Sequence, residues 1–480
     1  MSVRLRFAPS PTGALHIGSV RTFLYNYVFA RQRGGTFILR VEDTDQERLV
    51  PGAIDSIYDG LHWLGITWDE GPREGGPHAP YVQSERLPLY RKHAEELIAK
   101  GAAYYCFCSK ERLAELRREQ EARHELTRYD RHCRNIPAAE AAERAKSESH
   151  VIRLKVPDEG TLAIDDLVHG RIEWQANTIE DQVLLKSDGY PTYHLAVVVD
   201  DHVMGITHIM RGEEWVASVP KHLLIYRAFG WDVPPMAHVP DVLGPDGKKL
   251  SKRHGSTAVS QFRDDGYLPE ALVNYLALVG WSPGTEDELF SMEDLVRVWK
   301  IEQVQSAGGK WDKERLDFFN GVWIRRLPVE ELVRRLRDFV PAEWDEGLLR
   351  QVTPLIQERM KTLKDAKDQI AFLFTDDLSY DRTALIPKKK DQAGTLQTLA
   401  RSLAVLRSAS PFTAALIRPT LEALAEELGW ERRDLSQPIR VAITGRTVGP
   451  PLYESLELLG KEKAIARLET AQELLTGVKV

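Results

Sequence analysis

A chain of 480 residues is too long for one hydrophobic core, so two to four domains are expected. Its 43% hydrophobic and 28% charged residues are those of an ordinary globular protein, and no apolar run approaches the ~20 residues that a bilayer-spanning helix needs. The net charge of −7 neither supports nor excludes a nucleic-acid partner, because cations can be segregated into patches. Lys248, Lys249, Lys252 and Arg253 form one such cluster, Arg334, Arg335 and Arg337 a second, and Lys388, Lys389 and Lys390 a third. Taken alone, each reads as a solvated face. Three cysteines do not make a disulfide scaffold and fit a reducing compartment. Met1 to Phe7 lacks the apolar core of a signal peptide, so a cytoplasmic location is expected.

VRLRF, residues 3–7, alternates apolar and basic side chains as a strand does. Pro9 and Pro11 stop it, and Thr12-Gly13 continue the turn. From Leu15 the apolar positions Val20, Phe23, Leu24, Tyr27 and Val28 fall on one face of a helix that Gly34-Gly35 ends. TFILRV, residues 36–41, is a second strand, followed by the acidic EDTD of 42–45. Strand, helix and strand predict a βαβ unit and a parallel sheet, with ligands at the carboxyl ends of its strands. The loop APSPTGALHIG therefore lies where a ligand belongs. Backbone N–H groups of Ala14 to Gly18 are expected to point out of the helix start, with the positive end of its dipole behind them. His16 adds a donor for phosphate oxygens, and Gly18, without a Cβ, lets a flat base or ribose approach. The loop is neither GxGxxG nor GxxxxGK[ST]. On their own, His16 and Gly18 read as a surface histidine and a packing glycine.

GPDGKKLSKRHGS, residues 244–256, begins with a turn and brackets Ser251 with Lys249 and Lys252. A loop with several cations suits a triphosphate whose charge must be neutralised as it reacts; alone, it reads as a basic surface hairpin. The pairing is more telling. HIGS after the first strand and KLSKR far downstream, beyond a long insertion, resembles the signature of class I aminoacyl-tRNA synthetases. Over essentially its whole length the chain resembles the bacterial glutamyl-tRNA synthetases. The stretches that carry the likeness are RFAPSPTGALHIGS, FILRVEDTD, GGPHAPYVQSERLPLY, HVIRLKVP, LLKSDGYPTYHLAVVVDDHVMGITHIMRGEEW and DGKKLSKRHGS.

The resemblance implies an α/β Rossmann-like doubly wound catalytic domain with an α+β acceptor-binding insertion, followed by all-α anticodon-binding domains. The divisions it suggests are 1–105 and 187–256 for the two catalytic halves, 106–186 for the insertion, 257–325 for a stem-contact domain, and 326–375 and 376–480 for two helical domains. It implies ATP at His16, Gly18, Glu214, Trp215, Lys249, Ser251 and Lys252, with Mg²⁺ on its phosphates and with His16, Lys249 and Lys252 stabilising the transition state. It implies L-glutamate at Arg6, Ala8, Ser10, Glu42, Tyr193 and Arg211. Physical chemistry agrees with that substrate: two carboxylates and one ammonium need two separate cations and one anion. Arg6 and Arg211 are each able to fork onto a carboxylate, Glu42 to take the ammonium, and Tyr193 to donate a hydroxyl. Which arginine takes the side-chain carboxylate is left open. Alone, either would read as a surface ion pair. The family's activation step is expected to need bound tRNA.

Cys106, Cys108 and Cys133, a C-x-C-x24-C pattern, lie in the insertion. Three thiolates this close suit a tetrahedral Zn²⁺ site. Some family members supply a histidine two residues after the last cysteine, where this chain has Asn135; Tyr129, four before Cys133, matches the tyrosine of related short paralogues. His132 is awkwardly adjacent to Cys133. The alternative is three free thiols. Beyond Phe319 few alternating strands are visible, whereas glutaminyl-tRNA synthetases end in β-barrels. A helical tail favours the bacterial glutamyl enzymes and argues against the short tRNA-modifying paralogue. Arg359, in QERMKTL, matches the position of an arginine that reads the third anticodon base, so charging of tRNA-Glu alone is expected. A non-discriminating enzyme that also charges tRNA-Gln, and a catalytically silent tRNA-binding paralogue, are the alternatives. The family suggests a monomer without an obligate protein partner or a membrane.

Overall fold

The computed structural model describes residues 2–477, which form two compact units. The first comprises residues up to Arg263 together with Pro269–Lys313; the second comprises Asp264–Leu268 and the chain from Glu314 onward. Of the stretch 257–325 expected as a stem-contact domain, Pro269–Lys313 belongs to the first unit, and Asp264–Leu268 and the residues from Glu314 belong to the second.

In the first unit β1 (Arg4–Phe7), α1 (Ile17–Gln32) and β2 (Thr36–Leu39) form the expected βαβ, with β1 and β2 parallel and Arg4 opposite Thr36. Phe23 of α1 joins the layers, meeting Phe7 edge-on at 4.4 Å and Phe37 at 4.9 Å between ring centroids; each such pair is worth ~1 kcal/mol beyond its buried area. Gly34 closes α1 in a left-handed turn (φ 58°), and Gly35 has no alternative: a Cβ there would sit 2.5 Å from the Val3 carbonyl oxygen.

The insertion contributes a three-stranded antiparallel sheet of β3 (Ala103–Cys106), β4 (Val151–Leu154) and β7 (Val183–Leu185), and a hairpin of β5 (Thr161–Asp166) and β6 (Gly170–Gln175). The chain then returns through the helix Tyr193–Val203 to a second parallel pair, β8 (Ile209–Gly212) and β9 (Met236–Val239). Thr207, just before β8, joins this pair to β1: its N–H donates to the Arg4 carbonyl at 3.0 Å, and its hydroxyl accepts from the Arg4 N–H at 2.9 Å. β2 lies on the other side of β1, so the strand order reverses between β1 and β8, where doubly wound sheets leave a crevice.

The second unit is helical. Among the described residues no strand follows Lys310, as the all-α tail requires. The long periodic stretch from Leu452 is two helices, Leu452–Leu459 and Lys461–Thr476, broken at Gly460 (φ 85°). Among the described residues no helix is long and apolar enough to cross a membrane.

Candidate active site

A cleft of about 1620 Å³ opens at the carboxyl ends of β1, β2, β8 and β9. Arg6, Ala8, Ser10, His16, Gly18, Glu42, Tyr193, Arg211, Glu214, Trp215, Lys249, Ser251 and Lys252 all line it. The two cationic loops are stitched together by backbone: the Ile17 N–H donates to the Thr257 carbonyl at 2.9 Å, and the Val259 N–H to the Leu15 carbonyl at 3.0 Å. The lysine loop is itself a tight hairpin, with the Gly244 N–H on the Lys248 carbonyl at 2.7 Å and the Leu250 N–H on the Val242 carbonyl at 2.7 Å.

The helix start differs from expectation. His16 is itself the N-cap of α1, its Nδ1 accepting the Gly18 N–H at 3.0 Å. The Ile17 and Gly18 N–H groups are therefore spent inside the protein and do not point at a ligand. What the cap leaves for the cleft is the other ring nitrogen. With Nδ1 an acceptor, the neutral ring carries its proton on Nε2. Burial, then Lys249 and Lys252, push the His16 pKa down, so the ring stays neutral. Gly18 lacks a side chain for a local reason as well: a Cβ would come within 3.2 Å of His16 Nδ1. Lys249 is held by Asp241 at 2.7 Å and Glu214 at 3.6 Å, whereas Lys252 is exposed at the start of a single turn capped by Ser251.

The polar half of the cleft is a buried ionic network. Arg6 is not free to fork from both edges: its Nε and Nη2 already hold Asp201, at 2.9 and 3.2 Å. Its Nη1 is not engaged among the described residues. Arg40, fully buried, gives Nη1 to Asp201 and Nη2 to Glu42, at 2.8 and 2.9 Å. Burial works against its charge, but Asp201, Glu42 and Asp200 outweigh it and raise its pKa well above the ordinary value. Burial raises the Glu42 pKa despite Arg40. Arg211 donates from Nε to His238 at 3.0 Å, from Nη1 to the Tyr193 hydroxyl at 3.0 Å and His222 at 3.3 Å, and from Nη2 to the Trp215 carbonyl at 3.5 Å. A guanidinium has five N–H groups, so one of Arg211 is left uncommitted by these bonds. Because Tyr193 accepts from Arg211, its own hydroxyl proton is available to the cleft. Its ring lies 4.1 Å from that of Trp215.

Arg40, Asp201, His222, His238 and Asp166 escaped the sequence reading. A signal existed: charged or imidazole groups inside the apolar runs FILRV, VVVDD and MAHV. Buried polar residues in such runs must be paired, but their partners could not be named.

In the insertion the Sγ atoms of Cys106, Cys108 and Cys133 lie within 4.8 Å of one another. The Tyr129 hydroxyl is 3.3 Å from Cys106 Sγ and 3.6 Å from Cys108 Sγ, and accepts the Cys133 N–H at 3.0 Å. Arg112 Nη1 donates to Cys108 Sγ at 3.5 Å, and the Phe107 N–H to Cys133 Sγ at 3.4 Å. In the second unit Arg359 occupies the turn after helix Glu346–Gln357, and its Nη1 donates to the Gly449 carbonyl. The cluster at Arg334, Arg335 and Arg337 is taken up by Glu331 and Glu346, as a solvated face would be.

A doubly wound sheet whose switch-point crevice joins a histidine-capped helix start to a lysine hairpin is the catalytic architecture of class I tRNA synthetases. Residues 2–318 match the family model "tRNA synthetases class I (E and Q), catalytic domain", and residues 331–472 match "Anticodon binding domain". The chain is 45% identical over 477 residues to a glutamate–tRNA ligase of Dehalococcoides mccartyi strain CBDB1, spanning 98% of this chain and 97% of the relative. It is 46% identical over 489 residues to one of Roseiflexus castenholzii, spanning 98% and 96%. The crystal structure of a glutamate tRNA ligase from Elizabethkingia meningosepticum, in complex with its amino acid, superposes with a TM-score of 0.91 at 36% identity, covering 99% of this chain and 100% of that one. The chain belongs to the glutamate–tRNA ligase family and is an aminoacyl-tRNA ligase.

Proposed function

We propose that this enzyme activates L-glutamate with ATP and transfers the glutamyl group to the 3′-terminal adenosine of tRNA-Glu, rejecting tRNA-Gln. The supporting observation is the single cleft that joins the His16 and Lys252 loops to the Arg6–Glu42–Arg211 network. Charge counting favours glutamate there. Arg6, Arg40, Arg86 and Arg211 set against Asp200, Asp201 and Glu42 leave a net charge of +1. Glutamate with its ammonium carries −1 and neutralises the pocket; neutral glutamine leaves a buried cation uncompensated. Arg6, with Nη1 uncommitted, grips one carboxylate end-on. Arg211, with one spare N–H, and the Tyr193 hydroxyl take the other. Ala8 and Ser10 border the amino acid, and Glu42 receives its ammonium.

The α-carboxylate is ionised at neutral pH and attacks the α-phosphorus of ATP without a general base. The bond to the bridging oxygen breaks, and pyrophosphate leaves with the electron pair. Positioning and charge neutralisation do the rest. Neutral His16 donates from Nε2, while Lys249 and Lys252 take the charge that develops on the departing phosphates. Gly18, Glu214, Trp215 and Ser251 border the nucleotide, and Mg²⁺ arriving with ATP would add further neutralisation of phosphate charge beside Lys249 and Lys252. Lys249 must exchange Asp241 and Glu214 for phosphate, so the hairpin re-forms its ion pairs when ATP binds.

The thiol cluster fits Zn²⁺. Tetrahedral Zn–S bonds of ~2.3 Å place sulfurs ~3.8 Å apart and a Tyr oxygen ~3.5 Å from them. Cys108 and Cys133 are 3.6 Å apart, and Tyr129 stands at 3.3 and 3.6 Å. Cys106, Cys108, Cys133 and Tyr129 would hold the ion, which would brace the insertion. Arg359, steadied by the Gly449 carbonyl, presents its guanidinium to the anticodon. The enzyme works as a cytoplasmic monomer.

Charging of separated tRNA-Glu and tRNA-Gln with labelled glutamate is the test. Glutamyl-tRNA-Glu alone is expected. Comparable charging of tRNA-Gln would remove the discrimination, and no charging of tRNA-Glu would remove the function.

A further inference from the structure

Behind Arg211 lies a chain of buried groups that no step of the reaction uses. His238, on β9, is 0% exposed, and Asp166, the last residue of β5 in the insertion, is 4% exposed. Asp166 Oδ1 accepts three backbone N–H groups, from Val168 and His169 at 3.0 Å each and from His238 at 3.3 Å. Its Oδ2 faces His238 Nδ1 at 2.6 Å, and His238 Nε2 faces Arg211 Nε at 3.0 Å.

The donor inventory permits one arrangement. Arg211 has only donors, so His238 Nε2 must accept; Nδ1 must then carry the proton and donate to the Asp166 carboxylate. On the other side of the guanidinium His222 Nδ1 must accept likewise, leaving its Nε2–H for His194 Nδ1 at 3.2 Å. Burial and then Arg211 hold the His222 pKa down, so that ring adds no proton of its own.

We propose that Asp166 and His238 are positioning residues for Arg211: the carboxylate of the insertion fixes the His238 tautomer, and that tautomer fixes the plane of the guanidinium at the amino-acid end of the cleft. The segment inserted between the two catalytic halves thus helps to set how the pocket grips its substrate. This rests on the reading that Arg211 binds glutamate.

Asp166→Asn separates this role from folding. The amide oxygen keeps the three backbone donors, two from the turn and one from His238. The amide nitrogen replaces Oδ2 and can only donate, so His238 must accept on Nδ1 and turn its Nε2–H against Arg211. The expected result in glutamate-dependent ATP–pyrophosphate exchange, with tRNA present, is a KM for glutamate raised at least tenfold and a KM for ATP within twofold of wild type. In protein labelled with ¹⁵N-histidine, the His238 signals change from the Nδ1–H to the Nε2–H tautomer. His238→Gln keeps an acceptor near Nε2 and stays within about threefold of the wild-type KM. His238→Asn keeps only the Nδ1-side donor and matches Asp166→Asn. If Asp166→Asn leaves the KM for glutamate unchanged, or raises it without the tautomer change, the proposal fails. If Arg211→Ala itself leaves that KM unchanged, the placement of glutamate at Arg211 is what fails.

Discussion

Asp201→Asn tests whether the ionic network under the cleft organises Arg6. Asp201 is 1% exposed and accepts three charge-assisted hydrogen bonds, from Arg6 Nε at 2.9 Å, Arg6 Nη2 at 3.2 Å and Arg40 Nη1 at 2.8 Å. The isosteric amide removes the charge and turns an NH₂ group toward guanidinium donors. Arg6 and Arg40 then have Glu42 as their nearest anion, since Asp200, 3.8 Å from Arg40, is already held by Arg86 at 2.8 Å. Breaking a buried pair in this way costs about 3–5 kcal/mol, and at about 2 °C per kcal/mol for a domain of this size the Tm falls by about 6–10 °C. The sign of the pH dependence follows from the carboxyl itself. Burial pushes its pKa up, but Arg6 and Arg40 outweigh burial and hold it below the ordinary value. Its contribution is therefore complete above the unfolded pKa of ~3.9 and is lost as pH falls through the folded one. Thermal unfolding between pH 3 and 7 should show the difference between wild type and variant constant above about pH 5 and shrinking below about pH 4. In pyrophosphate exchange at a permissive temperature the KM for glutamate rises at least tenfold, about 1.4 kcal/mol, with the KM for ATP within twofold. A Tm within 2 °C of wild type together with an unchanged KM for glutamate would refute the reasoning.

Gly18→Ala places a methyl 3.2 Å from His16 Nδ1; since alanine favours a helix, Tm should hold or rise, while exchange slows about 10- to 100-fold, short of the ~3 kcal/mol set by losing a whole donor in His16→Ala. Normal exchange in Gly18→Ala would show that His16 is not held by this cap. Lys252→Ala should lower the exchange rate by 100-fold or more without moving Tm, because this lysine is exposed; wild-type exchange would exclude it from the chemistry. Metal analysis of protein purified without chelator should return one zinc per chain, and Cys133→Ser should release it and make the insertion protease-sensitive; much less than one zinc in the wild type would leave three free thiols. Arg359→Gln should raise charging of tRNA-Gln relative to tRNA-Glu by ten- to a hundredfold, corresponding to about 1–3 kcal/mol per lost bidentate base contact, and an unchanged ratio in the two-tRNA assay would place discrimination elsewhere.

The parts legible in the sequence were those whose chemistry is local. Pro9, Pro11 and Gly34 bound β1 and α1 by backbone sterics alone, the 3.6-residue period of Val20 to Val28 gave the helix, and the spacing of Cys106, Cys108 and Cys133 predicted a cluster that the fold does gather. HIGS and KLSKR could be matched as short strings because each keeps its groups within a few residues. Tertiary structure decided which groups those motifs face. Arg6 meets Asp201 across 195 residues, Arg40 meets it across 161, and His238 meets Asp166 across 72. A charged side chain in an apolar run shows that a partner must exist, since burial without one is too costly. Periodicity carries no record of who that partner is. The same holds at His16, where the sequence offered a phosphate donor and the folded helix start made one nitrogen a cap and left the other to act.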